Sequence, residues 1–344
     1  MIAPADLAHC RAAIRTGSRS FHAASKLLPA SVRDPALALY AFCRLADDAV
    51  DEDDAKAAAV LSLHERLDRA YAGRPRNAPA DRAFAALIAD YDLPRALPEA
   101  LLEGLAWDAE GRRYATISDL RAYSARVASA VGAMMCVLMR VRDRDALARA
   151  CDLGLAMQLT NIARDVGEDA RAGRFFLPAD WCAEAGLDPE TFLADPRPGP
   201  AIAQLTRRLL AEADRFYRRA DPGIAVLPAR CRPGIFAASC IYEGIGGEIE
   251  RQGHNSVSRR AVTGRAQKLR WLALSAVQAA MTGFAPRAAT LHAAPASETA
   301  FLVDAAARSA PSGARSDNLI AILGQLRARD LATRMVEPRR PAPM

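Results

Sequence analysis

Strand signals are nearly absent from this chain of 344 residues, while helix signals recur along it, so an all-α fold is expected. Its seven cysteines (10, 43, 136, 151, 182, 231, 240) are scattered and never spaced as CxxC. That argues against a disulfide framework or a zinc site and for a reducing cytosol. The five histidines form no HExxH or other ligand pair. No long hydrophobic run occurs: the longest, Val127 to Met139 between Arg126 and Arg140, is too short to span a bilayer and reads as a core helix. The amino terminus, MIAPADLAHCRAAIRTG, lacks the apolar core of a signal peptide. The formal charge of +6 is mostly arginine spread along the chain, with no like-charge block to serve as a nucleic-acid arm. No P-loop, GxSxG element or Rossmann fingerprint is present, and Gly244-Ile-Gly246-Gly247 falls inside a helical pattern where it reads as close packing. The expected setting is cytoplasmic, with at most a peripheral contact at the inner membrane face and no nucleic-acid partner. The basic balance suits an anionic small substrate or an anionic membrane surface.

What is present is apolar and helical. With 51% hydrophobic and 25% charged residues, the chain is able to bury a large core. The spacing predicts helices over about 4–16, 20–28, 54–72, 79–91, 98–112, 118–140, 143–170, 200–220, 234–252 and 262–283. Another opens at Asp34-Pro35, with Asp34 as N-cap and Pro35 at N1, and runs through Val50. An irregular Gly- and Pro-rich segment lies between 171 and 200. Residues 1–284 therefore read as one all-helical domain. The remainder, 285–344, reads as a Pro/Ala/Ser-rich tail in which APRAATLHAAPASETA and RSAPSGARSD are mobile, with short amphipathic helices over Phe301–Ala307 and Asn318–Met335 and no chemistry.

One stretch breaks a local rule. Gln158-Leu-Thr-Asn161-Ile-Ala-Arg164-Asp165-Val-Gly-Glu168-Asp169 continues an apolar helix, and Gly173 and Pro178 then stop it. Asn161, Asp165 and Asp169 stand at i, i+4 and i+8, on one face, roughly 6 Å apart per turn. Acids in the last turns of a helix oppose its macrodipole, which points to a cation. The plain alternative is a solvated face paired with Arg164, Arg171 and Arg174. A second cluster tells against it. Tyr40-Ala-Phe42-Cys-Arg44-Leu-Ala-Asp47-Asp48-Ala-Val-Asp51 also ends a hydrophobic helix in acids, with Asp47 and Asp51 on one face and Arg44 one turn before. Asp53 or Asp54 reads as the cap of the helix near Ala55.

Two acid sets on hydrophobic helices suit ionisation of an allylic diphosphate. Carboxylate oxygens hold Mg2+, which neutralises the departing diphosphate. Arginines add bidentate donors for the same oxygens, and a helix bundle supplies an apolar cavity for the carbocation.

These residues resemble the head-to-head prenyl synthases, the squalene/phytoene synthase family, and within it the bacterial phytoene branch. Similar features cover about residues 5–280 in the family's order: Ser18-Arg-Ser20-Phe21, the Tyr40–Asp51 stretch, Gly104-Leu-Ala-Trp-Asp108, Tyr123-x-x-x-Val127-Ala128 with Gly132, the Gln158–Pro178 stretch and Ile241-Tyr242. The resemblance implies the isoprenoid-synthase helical fold around a central apolar cavity. It implies Mg2+, or Mn2+, between the two acidic motifs, no NADPH, and head-to-head condensation of two geranylgeranyl diphosphates through prephytoene diphosphate to 15-cis-phytoene. It also implies Asp47, Asp51, Asn161, Asp165 and Asp169 as metal ligands or their close support, with Asp48 beside them. Arg44, Arg164, Arg174, Tyr242 and Arg260 would grip diphosphate, with Ser18, Ser20 and Gln158 nearby, and Tyr123 and Phe21 would line the cation cavity. Tyr123 and Phe21 read equally as core packing, and Cys43 and Cys151 as small core fillers. One departure stands out: many relatives have Tyr-Val-Ala-Gly where this chain has Arg126-Val127-Ala128-Ser129, which leaves the final proton acceptor open. Squalene or dehydrosqualene synthesis from farnesyl diphosphate is the alternative within the family, since spacing does not reveal cavity depth. A non-catalytic helical scaffold at a membrane surface is the alternative outside it, and it leaves both acidic sets unexplained.

Overall fold

The computed structural model describes residues 1–52, 56–282 and 288–307, except the side chains of Asp51, Glu52 and Arg265. Among these residues there is no strand. The helices are α1 (Pro4–Gly17), α2 (Arg19–Ser25), α3 (Ala30–Glu52), α4 (Lys56–Tyr71), α5 (Pro79–Tyr91), α6 (Ala96–Ala109), α7 (Ile117–Ser124), α8 (Ala130–Leu138), α9 (Arg144–Arg171), α10 (Ala179–Glu184), α11 (Pro189–Ala194), α12 (Pro200–Ile224), α13 (Arg232–Arg251), α14 (Arg265–Met281) and α15 (Ala300–Ala307). No helix among the described residues is long and apolar enough to cross a membrane. The seven cysteines are all free; Cys151 is buried in the core, whereas Cys43 is half-buried and lines the cavity described below.

Helix α9 is the axis of the bundle. Asp143 caps it by accepting from the Ala146 amide at 2.9 Å. Its 28 residues rise roughly 42 Å. Leu147, Leu155, Leu159 and Ala163 are fully buried, each leucine contributing about 1.5–3 kcal/mol. Helices α8, α12, α13 and α15 pack around it. Two glycines set the closest approaches. A Cβ at Gly154 would lie 2.5 Å from the Ser129 Cα, and one at Gly104 would lie 2.6 Å from Val127 Cγ1. Both α9 and α6 thus press on the backbone between α7 and α8.

That backbone is where the helix expected over 118–140 is interrupted: Ala125–Ser129 forms a π-helical turn. The wider turn turns Val127 and Ala128 to the interior cavity and leaves Arg126 outside it. Arg126 instead pairs with Glu103 at 2.9 Å and lies over the Trp107 ring at 4.3 Å.

Three other expectations change. Helix α3 starts at Ala30, not at Asp34-Pro35, so Pro35 sits inside it. The carbonyl that Pro35 leaves without an amide partner, that of Ser31, accepts instead from the Tyr91 hydroxyl at 3.1 Å, which removes the main cost of an internal proline. Asp34 pairs with Arg11 and Arg33 rather than capping. The segment expected to be irregular, 171–200, holds α10 and α11, which are too short to give a periodic signal. Finally, residues 288–300, expected to be mobile, pack on the bundle, with Leu291 and Thr299 buried, while the short helix expected over Phe301–Ala307 is present as α15 and buries Leu302, Val303 and Ala306. Arg142 beyond the C-terminal end of α8, Arg149 on α9 and Arg219 on α12 hold this segment by its carbonyls, a bond type that composition does not register. The expected helix over 318–335, the Asp53/Asp54 cap and the Asp51 side chain lie outside the described residues.

Candidate active site

The acidic ends of α3 and α9 border one cleft of about 530 Å³. Its walls carry Asp47 and Arg44 from α3, Gln158, Asn161 and Arg164 from α9, Tyr242 from α13, Arg260 from the α13–α14 loop, and Ser18, Ser20 and Phe21 from the start of α2. Tyr123 and Asp108 also line it. The cleft runs into a second, apolar cavity of about 330 Å³ that reaches down between α3, α8, α9, α12 and α13. Phe21, Tyr40, Cys43, Val127, Gln158, Asn161 and Tyr242 line both spaces, so the polar mouth and the apolar interior are one continuous site.

Asp47 on the wall, and Asp48, Asp165 and Asp169 behind it, are each held by arginine. Arg44 lies 3.4 Å from Asp47 and bonds Asp48 through Nε at 3.1 Å. Asp165 receives Arg164 at 2.8 and 2.5 Å and Arg260 at 2.8 and 3.2 Å. Burial by itself would raise the Asp165 pKa, but the two guanidiniums outweigh it and hold the carboxyl below its ordinary value. Asp169 differs. Burial pushes it up to about 6 against the pull of Arg174, whose Nη2 lies 3.2 Å away, and the charge of Asp165 adds to the push.

Arg260 arrives through a packing device in the run Val166-Gly-Glu168. A Cβ at Gly167 would meet the Val257 carbonyl at 2.5 Å, and the Gly167 amide donates to the Ser256 carbonyl at 3.0 Å. The chain after α13 therefore crosses directly over α9, turning at His254 with φ +61, and Arg260 reaches Asp165 and Glu168.

The hydroxyls have defined partners. Tyr123 donates to Asp108 at 2.8 Å and packs against Phe176 and Tyr114. Burial, with the Asp108 charge next, raises its pKa well above the ordinary phenol value. Burial likewise pushes Tyr242 to about 12, and its ring lies 5.3 Å from that of Phe21. Ser18 accepts the Phe21 amide at 3.2 Å and so caps α2.

Of the residues singled out from sequence, Arg174, Asp48, Asp165 and Asp169 stand behind the cleft wall rather than on it, and the Asp51 side chain is outside the described residues. Sequence reasoning did not single out Tyr40, Arg19, Lys268 and Asp108 as site residues, although all four line the cleft. Arg19, Tyr40 and Asp108 had a signal, their places in the Ser18–Phe21, Tyr40–Asp51 and Gly104–Asp108 motifs; Lys268 had none.

The donor set suits a hard divalent cation. All the side chains are oxygen donors, and Asn161 Oδ1 is buried without a hydrogen-bond partner. Burial raises Asp169 to about 6, and a cation beside it would favour its ionised form. Among the described residues, however, no three acidic, histidine or cysteine side chains close on a common point. Guanidiniums neutralise these carboxylates in the arrangement seen.

Comparison with known proteins decides the family. The sequence matches the squalene/phytoene synthase profile over residues 14–271. The chain belongs to this family. It is 64% identical over 340 residues to the phytoene synthase of Cereibacter sphaeroides, covering 96% of each chain. It is 62% identical to that of Rhodobacter capsulatus, covering 96% of this chain and 98% of the relative. Among solved structures, a dehydrosqualene synthase in complex with ligand superposes with a TM-score of 0.74 at 30% identity, over 79% of this chain and 96% of that one. The squalene synthase HpnC from Alicyclobacillus acidocaldarius gives a TM-score of 0.67 at 26% identity, over 73% of this chain and 95% of that one. The all-helical family fold expected from sequence is therefore the fold observed.

Proposed function

We infer that this chain is a prenyltransferase of carotenoid biosynthesis that condenses two geranylgeranyl diphosphates head to head to 15-cis-phytoene. The observation that carries the reading is the continuity of an arginine- and carboxylate-lined mouth with an apolar cavity, together with near-full-length identity above 60% to two phytoene synthases. Asp47, Asn161, Asp165 and Asp169, with Asp51, would hold Mg2+ or Mn2+. The metal, when bound, offsets the charge that collects on the departing diphosphate.

The chain's own residues do the rest. Arg44, Arg164 and Arg260 now neutralise Asp47, Asp48 and Asp165. When cation and diphosphate enter, these guanidiniums exchange carboxylate for phosphate oxygens, so the site binds charge without being left unpaired. Arg174 stays with Asp169 and orients it. Tyr242 donates to diphosphate, with Ser20 and Gln158 beside it. Phe21, Tyr40 and Val127 surround the allylic cation and keep water out. As one diphosphate leaves, the double bond of the second chain attacks the allylic cation, and closure of the cyclopropane with loss of one proton gives prephytoene diphosphate. Loss of the second diphosphate, rearrangement and loss of one proton then give the triene, so no reductant is consumed. With Arg126 turned away toward Glu103, the proton passes to a released diphosphate oxygen, or to the Tyr123 hydroxyl as that hydroxyl gives its own proton to Asp108.

Incubation with geranylgeranyl diphosphate and Mg2+, without NADPH, should yield a C40 hydrocarbon with the phytoene absorption. Formation of only a C30 product from farnesyl diphosphate would replace the reading by dehydrosqualene synthesis.

A peripheral contact with an anionic bilayer belongs to the same proposal. Helix α14 carries Arg265, Lys268 and Arg270 and no acidic residue. Its outer face, with Val262 just before it, exposes Val262 (73%), Leu269 (66%), Val277 (55%) and Met281 (64%). Val262 and Lys268 also line the cleft, so a greasy substrate would enter beside that face. Flotation with phosphatidylglycerol vesicles should recover the chain, and Leu269→Glu with Val277→Glu should release it; equal recovery of both excludes this face.

A further inference from the structure

The apolar cavity follows α9 downward. Asn161 and Gln158 stand at its junction with the mouth, followed by Met157, Gly154, Leu153, Ala150, Arg149 and Ala146. From Asn161 to Arg149 the helix rises roughly 18 Å. An arginine lining a hydrocarbon cavity this far from its mouth is unexpected, and this one is only 1% exposed.

Its head group is tied outside the cavity. Arg149 Nε lies 2.8 Å from Asp152, whose side chain is fully buried, and Arg219 of α12 reaches the same carboxylate at 3.1 Å. The two guanidiniums then clamp the segment between α14 and α15 by its backbone. Arg149 donates to the Thr290 carbonyl and, at 3.4 Å, to that of Ala294, which also accepts from Arg219 at 2.9 Å. The aliphatic stem is what remains on the cavity side. It is wedged against α12 at Gly223, where a Cβ would stand 2.1 Å from Arg149 Cβ and 2.7 Å from Cγ. The stem therefore has no room to retreat toward α12, and its anchored head group keeps it from swinging aside.

We propose that the stem of Arg149, clamped by Asp152 and the 288–294 strap, is the floor that sets the longest prenyl chain this enzyme accepts. The proposal rests on the prenyl-diphosphate reading of the site and adds the element that measures the tail. It makes Arg149 a specificity-determining residue rather than a catalytic one, since it stands more than three helical turns from the mouth. The strap acquires a role as well, because the carbonyls of 290 and 294 fix the floor from outside.

The test is calorimetric binding of unreactive prenyl S-thiolodiphosphates of 15, 20 and 25 carbons to the full chain with Mg2+. In the wild type, affinity should fall from the 20-carbon to the 25-carbon ligand. Arg149→Ala, which deletes the stem while Arg219 still pairs Asp152, should raise the 25-to-20 affinity ratio about tenfold. Gly223→Ala adds a methyl group at a residue that itself lines the cavity beside the stem, and should move the opposite ratio, 15 to 20, upward by about tenfold. A ratio is insensitive to the folded fraction, so Gly223→Ala decides the matter if Arg149→Ala does not fold. Unchanged ratios, or equal losses for all three lengths, overturn the floor. A wild type that binds the 20-carbon analogue but forms no hydrocarbon from the diphosphate sinks the catalytic reading and leaves the floor intact.

Discussion

Asp165 and Asp152 stand on the same helix and each binds two arginines, yet their environments pull them in opposite directions. Asp165, at the mouth, is 16% exposed, and Arg164 and Arg260 hold its pKa below the ordinary carboxylate value. Asp152, at the floor, is 0% exposed, and there burial outweighs Arg149 and Arg219, so its pKa is raised. Identical partners thus give an exchangeable ion pair near water and a sealed one away from it, because desolvation grows faster with depth than pairing repays. A mouth arginine is free to leave for a phosphate oxygen. A floor arginine has no competing ligand and becomes structure.

The comparison predicts a clean separation of phenotypes. Asp165→Ala should lower turnover about 10³-fold or more, as loss of charge stabilisation at an ionising bond does, with little change in thermal midpoint. A fully active variant would remove Asp165 from the metal and diphosphate site. Asp47→Ala carries the same expectation. Asp152→Ala should do the reverse: it leaves two cations unpaired, one buried, and should cost about 3–5 kcal/mol in urea unfolding while the folded fraction keeps its turnover. Equal stability of the Asp152 and Asp165 variants would break the contrast.

A smaller effect concerns Asp169, whose pKa rises from 3.8 to about 6 on folding. The folded chain then holds that proton more tightly than the unfolded one, so the stabilisation is complete below the unfolded pKa and is lost as pH rises through about 6. Metal-free protein should lose up to about 2 kcal/mol over that window, discounted for partial exposure. Added Mg2+ should restore it if Asp169 is a ligand, and its affinity should weaken as pH falls through the same range. A flat urea midpoint from pH 4 to 6.5 would contradict the assignment. Least of all, Tyr123→Phe removes one hydrogen bond to Asp108 and should cost about 1 kcal/mol in stability; a far larger loss in turnover alone would make the hydroxyl a participant in proton removal.

Much of the mouth was legible because periodicity and chemistry coincide there. Asn161, Asp165 and Asp169 share a helical face by spacing alone, and acids at a helix end announce a cation. Gly167 was legible only as a letter in a motif; its reason, a loop crossing at Val257, is a contact between segments far apart in the chain. The floor was not legible at all. Arg149 lies in an ordinary helical pattern, and the strap reads as Pro- and Ala-rich coil, because arginine-to-carbonyl bonds leave no trace in hydropathy. The same blindness put the start of α3 at Pro35, where a distant tyrosine satisfies the carbonyl that the proline leaves without a donor.

By itself the sequence determined the helical class, the apolar core, the two acidic motifs and the family they belong to, since these depend on residue types at fixed local spacing. Which arginine meets which carboxylate, where the π-helical turn aims Val127 and Arg126, and where the cavity ends were decided only by tertiary structure. Those features depend on how deeply each group is buried and on contacts between segments far apart in the chain, and local patterning carries neither.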